Sequence, residues 1–67
     1  MIEVNGAPSE VAAGTTVADL LTTLDVAPGA RGLAVAVDAE VVPRAEWPAF
    51  VLPDGARVEI LTAVQGG

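Results

Sequence analysis

A single amphipathic helical segment is the feature that most constrains the fold of this 67-residue chain. Its apolar residues recur at the i, i+3, i+4 and i+7 spacing of one helical face: Val17, Leu20, Leu21 and Leu24. Thr15 or Thr16 can cap the helix, and Thr16 followed by Asp19 approximates a capping box. Pro28-Gly29 predicts that the helix ends near Asp25–Val26. A lone helix has to bury its apolar face against another layer, so we expect an α+β domain in which it packs on a sheet.

Strand and turn patterns lie on both sides of that helix. Residues 1–5 and 7–13 flank Asn5-Gly6, which is typical of a type I′ hairpin turn because both central positions need positive φ. Pro8 lacks a backbone N–H and predicts that the second strand lies at a sheet edge. The later segments with strand character are residues 33–37, 41–42 and 57–64.

One face of such a sheet packs on the helix and the other stays open. Leu33, Val35 and Val37 share a face that we expect in the core, with Trp47 and Phe50 packed against it from a turn or single 3₁₀ turn. The out-of-phase residues form a weakly apolar patch on the open face: Ala34, Ala36, Leu61 and Ala63. Small exposed apolar residues are ordinary on surfaces, but a contiguous set also fits a protein-docking surface, and both interpretations stand.

The composition argues against several classes of function. The net charge is −6 and the only basic residues are Arg31, Arg44 and Arg57, so a partner with a basic surface is favoured over nucleic acid or an anionic membrane. His, Cys, Lys and Tyr are absent, which removes the usual catalytic bases and nucleophiles. We therefore expect no enzyme activity of its own and no bound cofactor or metal. The N-terminus does not resemble a signal peptide, and the expected location is the cytoplasm.

The last predicted strand runs directly into a diglycine. We expect residues 1–64 to form the domain and residues 65–67 to form a flexible tail. Gly66 and Gly67 carry no Cβ, so they fit a narrow channel and adopt φ values that other residues avoid. A chain end of this kind suits presentation of the Gly67 carboxylate to the active site of another protein.

Over the whole chain, these features resemble the ubiquitin-like β-grasp fold and, within it, the ThiS-type sulfur carriers of thiamine biosynthesis. The segments that carry the resemblance are residues 5–6, 16–21, 35–37, 42–44, 52–55, 58–60 and 64–67. One departure is Ala56, where the family commonly has a second acid after the glycine.

The resemblance implies a mixed sheet of four to five strands on one main helix, with the last strand central beside the first. It implies that an E1-like, ThiF-type enzyme adenylates the Gly67 carboxylate with ATP, and that a donor such as a cysteine desulfurase converts the acyl-adenylate to a thiocarboxylate. A ThiG-type thiazole synthase then takes the sulfur. Val64, Gln65 and Gly66 would serve tail recognition. The open-face patch, which the strand pattern predicts independently of the resemblance, would supply Leu61, Ala34 and Ala36 for partner docking.

Two alternatives stay open at this point. A MoaD-like small subunit of molybdopterin synthase shares the fold and the diglycine, although Val64-Gln65 and the short chain favour the thiamine branch. A non-covalent β-grasp interaction module, in which the glycines are incidental, would tolerate a C-terminal extension.

Overall fold

The computed structural model describes residues 1–24, 26 and 32–62. In chain order, its elements are β1 (Ile2–Val4), β2 (Ala7–Ser9), α1 (Val17–Thr23), β3 (Leu33–Val37), β4 (Glu40–Val42), a 3₁₀ turn (Arg44–Glu46) and β5 (Arg57–Thr62). The strands form one sheet in the order β2-β1-β5-β3-β4. β1 and β5 run parallel and the other neighbours run antiparallel. This mixed five-stranded sheet with one helix confirms the expected α+β, ubiquitin-like β-grasp fold.

The core lies between the helix and one face of the sheet. Alternate residues of β3 point into it, as the sequence pattern predicts, and the fully or nearly fully buried apolar residues are Ile2, Val17, Leu20, Leu21, Leu33, Val35, Val37, Val42, Trp47, Leu52, Ala56 and Val58. Trp47 is buried in this core, and its indole Nε1 donates to the Val42 carbonyl at 2.8 Å. This bond satisfies the indole N–H, so the ring can be buried without an unpaired donor. Phe50 packs against the same core, half-buried.

Helix α1 begins at a complete capping box. Thr16 Oγ1 accepts from the Asp19 N–H at 3.1 Å, and the Asp19 carboxylate accepts from the Thr16 N–H at 3.3 Å. The N–H groups of Val17 and Ala18 donate to carbonyls of the segment that follows the 3₁₀ turn. These contacts satisfy first-turn donors that have no partner inside a helix. No helix among the described residues has the length and apolar character needed to cross a membrane.

We expect Thr16→Ala to lower the free energy of unfolding by about 1 kcal/mol, because it removes the N-cap acceptor. Thr22→Ala is the matched control: Thr22 lies inside the same helix, is exposed, and donates only to the Ala18 carbonyl. Urea unfolding followed by circular dichroism gives both values. Equal losses for the two variants would contradict the assigned cap.

The helix is shorter than its apolar pattern predicts, and the prediction that Leu24 lies on its buried face is wrong. Helix α1 ends at Thr23, with Leu24 as its C-cap, and the Leu24 side chain is 40% exposed. Because the backbone leaves the helix at Leu24, this side chain no longer points at the sheet. Val26 packs against the core instead, and its N–H donates to the Leu21 carbonyl at 2.9 Å. Asp25, where the predicted end lies, is outside the described residues.

Two strand boundaries also differ from the sequence-based expectation. β2 spans only Ala7–Ser9 instead of residues 7–13, although it does lie at the sheet edge. The chain beyond it turns, since the Thr15 hydroxyl donates to the Ala12 carbonyl at 2.7 Å. β4 begins one residue earlier than expected, at Glu40. β5 is described to Thr62, and residues 63–64 of the predicted strand lie outside the described part of the chain.

The N-terminal amine is tied to the turn before β5. Its ammonium donates to Asp54 Oδ1 at 2.7 Å, and the Gly55 N–H donates to the Met1 carbonyl at 2.8 Å. The hydrogen bond from the ammonium, and then its positive charge, lower the pKa of Asp54 below its ordinary value of 3.8. A depressed carboxyl pKa means that the native state favours the ionised form.

We expect this contact to stabilise the fold fully at pH values above the ordinary pKa of Asp54. The stabilisation should decrease as the pH falls below the ordinary pKa, and it should be lost once the pH lies below the lowered pKa of the folded state. In Asp54→Asn, the free energy of unfolding should therefore fall less steeply as the pH is lowered. At pH values above the ordinary pKa of Asp54, the shape of the profile should change little. The effect is small because both groups are exposed. Urea titrations at a series of pH values, with Glu10→Gln as the control for losing an exposed carboxyl, measure it. An identical acid slope in Asp54→Asn and the native chain would exclude the contact.

Candidate functional site

The candidate site combines the outgoing end of β5 with the sheet face that the helix leaves uncovered. β5 is the central strand, held by β1 on one side and β3 on the other. Its register against β3 pairs Val35 with Ile60 and Leu33 with Thr62, so its last described residues are still part of the sheet. The sheet therefore fixes where the C-terminal segment begins.

An apolar strip crosses the open face from β4 to β5. Leu61 is 60% exposed and lies opposite Ala34, while Ala36 lies between Glu59 on β5 and Val41 on β4. We call this set the open-face strip and define it as Ala34, Ala36, Val41 and Leu61. Directly paired residues project from the same face of a sheet, so the four side chains share one surface.

Val41 belongs to that strip although sequence reasoning did not place it there. It is 74% exposed, the largest exposure among the exposed large apolar residues of the described chain. The alternation of side chains along a strand does predict the position of Val41, because Val42 is buried and its neighbour must point to the opposite face. A strand of three residues is too short for that alternation to be recognised without knowing which residue faces the core.

The other half of the open face is charged. Arg57 Nε donates to Glu3 Oε2 at 3.1 Å, and the Arg57 N–H donates to Asp38 Oδ1 at 2.9 Å. With Glu59, these residues line a shallow depression of about 380 Å³ that is open to solvent. Carboxylates outnumber the single guanidinium here, so this half of the surface complements a basic partner. Within the described residues, no cluster of three or more acidic side chains has a metal-binding arrangement.

The structure brings together only some of the predicted site residues. Leu61, Ala34 and Ala36 share the open face, as expected, although Ala36 is half-buried. Five residues with predicted roles lie outside the described residues: Ala63 of the open-face patch, Val64 at the end of the predicted domain, and the predicted tail of Gln65, Gly66 and Gly67. For those five, the roles expected from the sequence stay predictions.

Comparison with known proteins gives a consistent result. The model of the ThiS family matches residues 2–67. The sulfur carrier protein ThiS of Escherichia coli (strain K12) is 33% identical over 63 residues, which cover 94% of this chain and 92% of that protein. The crystal structure of the thiamine biosynthesis protein ThiS from Geobacter metallireducens superposes with a TM-score of 0.81 at 38% identity, covering 98% of this chain and 97% of that one. A solution NMR structure of a thiamine biosynthesis protein from the same organism gives a TM-score of 0.75 at 37% identity, covering 98% of this chain and 86% of that one.

Proposed function

This chain belongs to the ThiS family, and we propose that it is a cytoplasmic sulfur carrier that supplies sulfur for thiazole formation in thiamine biosynthesis. The observation that carries the proposal is the extent of the family match, which runs through the diglycine to Gly67. The name of the Escherichia coli relative supports the sulfur-carrier role, and the name of the Geobacter relative supports the pathway. The open-face strip beside β5 supports docking to partner enzymes.

The chemistry begins with activation of an unreactive group. A carboxylate resists nucleophiles, so an E1-like, ThiF-type enzyme would join an oxygen of the Gly67 carboxylate to the α-phosphorus of ATP and release pyrophosphate. The resulting acyl-adenylate has AMP as a good leaving group. A persulfide sulfur, supplied by a cysteine desulfurase, would then attack the acyl carbon and displace AMP. A thiol would cleave the remaining S–S bond and leave the thiocarboxylate, whose sulfur a ThiG-type thiazole synthase takes.

In this proposal, the carrier supplies a docking surface and a chain end, and its partners supply the catalytic groups. From Thr62, the five residues to Gly67 span at most about 18 Å when fully extended. A partner that binds the open face must therefore place its bound nucleotide within the extended reach of these five residues from the end of β5. Gly66 and Gly67 would pass through a channel too narrow for a side chain, with Val64 and Gln65 as recognition contacts.

The two sets of partners would use the same surface. The E1-like enzyme and the thiazole synthase would each need the tail, and the open-face strip contains Leu61, the residue before the last described residue of β5. Exposed apolar residues flanked by acids fit a partner with an apolar anchor and basic neighbours. Because both partners would compete for one surface, activation and sulfur delivery would be successive binding events.

Intact-protein mass spectrometry tests the proposal. The chain is incubated with a ThiF-type enzyme, ATP, cysteine, a cysteine desulfurase and a thiol, and the expected product carries one sulfur in place of one oxygen. Omitting ATP is the control and should leave the mass unchanged. An unmodified mass in the complete mixture would reject the carrier function. Transfer of the sulfur to a molybdopterin synthase large subunit, with none to a thiazole synthase, would reject the pathway.

A further inference from the structure

Asn5 makes a contact with β5 that its place in a hairpin turn does not require. Its side-chain Nδ2 donates to the Ile60 carbonyl at 3.2 Å, and the Ile60 N–H donates to Asn5 Oδ1 at 2.8 Å. The backbone N–H of Asn5 also donates to the Val58 carbonyl at 2.9 Å. The two-point contact fixes the orientation of the amide, because only its oxygen can accept from a backbone N–H.

This contact continues the β1–β5 ladder past the point where β1 ends. β1 is paired with β5 through Val4 and Val58, and the chain then turns at Asn5-Gly6, with φ of 49° and 84°. At Ile60, where the next backbone partner would lie, the Asn5 amide offers the same donor and acceptor as a peptide group. The backbone of Ile60 is thereby bonded to the Asn5 amide on the β1 side, and on the β3 side Ile60 lies opposite Val35 in the register.

Beyond Ile60, the support of β5 becomes one-sided. In the described part of the chain, Leu61 and Thr62 are paired with β3 alone, opposite Ala34 and Leu33. Asn5 therefore sets the last position at which β5 is held from both sides, seven residues before Gly67. Holding the strand at that position would limit the directions in which the following residues can run, whereas a strand released there would let the whole C-terminal segment explore a larger volume.

We propose that Asn5 is a positioning residue for the reactive chain end, acting through Ile60. The inference rests on the proposed function and adds a specific residue to it. A turn role alone explains the positive φ of Asn5, but Gly would satisfy that need equally well. The turn role does not explain an amide that is bonded on both its oxygen and its nitrogen to a backbone 55 residues away in sequence.

Asn5→Gly separates the two roles, because it keeps the turn and removes the amide. We expect faster hydrogen exchange of the Ile60 amide, and a fall of about five- to tenfold in kcat/KM for pyrophosphate release by the activating enzyme, since threading a less ordered tail costs more conformational entropy. The docking affinity itself should not change. A chain truncated after Gln65 should bind that enzyme with the same Kd, within about twofold, whether residue 5 is Asn or Gly.

Thr16→Ala is the control for general destabilisation, since it weakens the fold at the helix cap without touching β5. It should keep kcat/KM within about twofold of the native chain. If Asn5→Gly is adenylated as efficiently as the native chain, or if Thr16→Ala falls by the same factor, the positioning role is wrong while the carrier function stands. If the native chain itself is not adenylated, both proposals fall.

Discussion

Removal of Gly67, or addition of one alanine after it, is expected to abolish thiocarboxylate formation and to leave the fold intact. Either change moves the terminal carboxylate by about 3.5 Å along the chain. A displacement of about 1 Å from the reactive geometry already costs about a hundredfold in rate, so a shift of a whole residue should exceed the range of the assay. Intact-protein mass spectrometry and pyrophosphate release measure the loss.

The controls for this result separate chemistry from folding. The described core is formed between residues 2 and 58, so urea unfolding of both variants should match the native chain. Gly66→Ala keeps the carboxylate at its position in the chain but adds a Cβ, and we expect a partial loss if the partner's channel excludes side chains. An extended chain that still gains sulfur at the native rate would show that the carboxylate need not lie at Gly67, and would overturn the role assigned to that residue.

Much of the fold follows from local patterns that agree with one another. The period-two pattern of β3 correctly places Leu33, Val35 and Val37 in the core, and Asn5-Gly6 forms the expected type I′ turn. Both signals are local, because side-chain alternation and positive φ are decided within a few residues. The central position of β5 came from the family resemblance, since pairing between distant strands leaves no comparable mark in one sequence.

Local patterns predict least where tertiary structure decides the conformation. Leu24 fits the apolar spacing of the helix, but the helix ends before it. The turn between β3 and β4 holds Asp38 and Ala39 at φ of 50° and 71°, although an alanine gives no signal for such a conformation. Contacts with β5 offset that strain: the Asp38 N–H donates to the Arg57 carbonyl at 2.8 Å and the Asp38 side chain accepts from Arg57.

The candidate site was recoverable only in part for the same reason. Leu61 and Ala34 could be assigned to the open face from strand alternation, but their direct pairing depends on the register of β3 against β5. The sequence indicates only the turn role of Asn5, because its partner Ile60 is 55 positions away. A residue that serves both a local turn and a distant strand shows only its local role in a sequence.

Leu61→Glu should weaken binding to the activating enzyme by about thirtyfold or more, the loss typical of a residue at the centre of an interface. Leu61 has the largest side chain of the open-face strip and is 60% exposed, so it is available as an anchor without any change of the fold. A carboxylate placed there has to lose its water when the partner docks, and nothing in the strip offers it a hydrogen bond.

Val51→Glu is the matched control, because it adds the same charge at an apolar residue that is 54% exposed and lies beside the helix cap, opposite Thr16. Both variants make the chain more acidic by one charge, so any general electrostatic effect on a basic partner is shared. We expect Val51→Glu to bind within about threefold of the native chain, as exposed substitutions outside an interface usually do. Isothermal titration calorimetry at two salt concentrations measures both affinities. Equal affinities for the two variants would exclude the open-face strip as the docking surface.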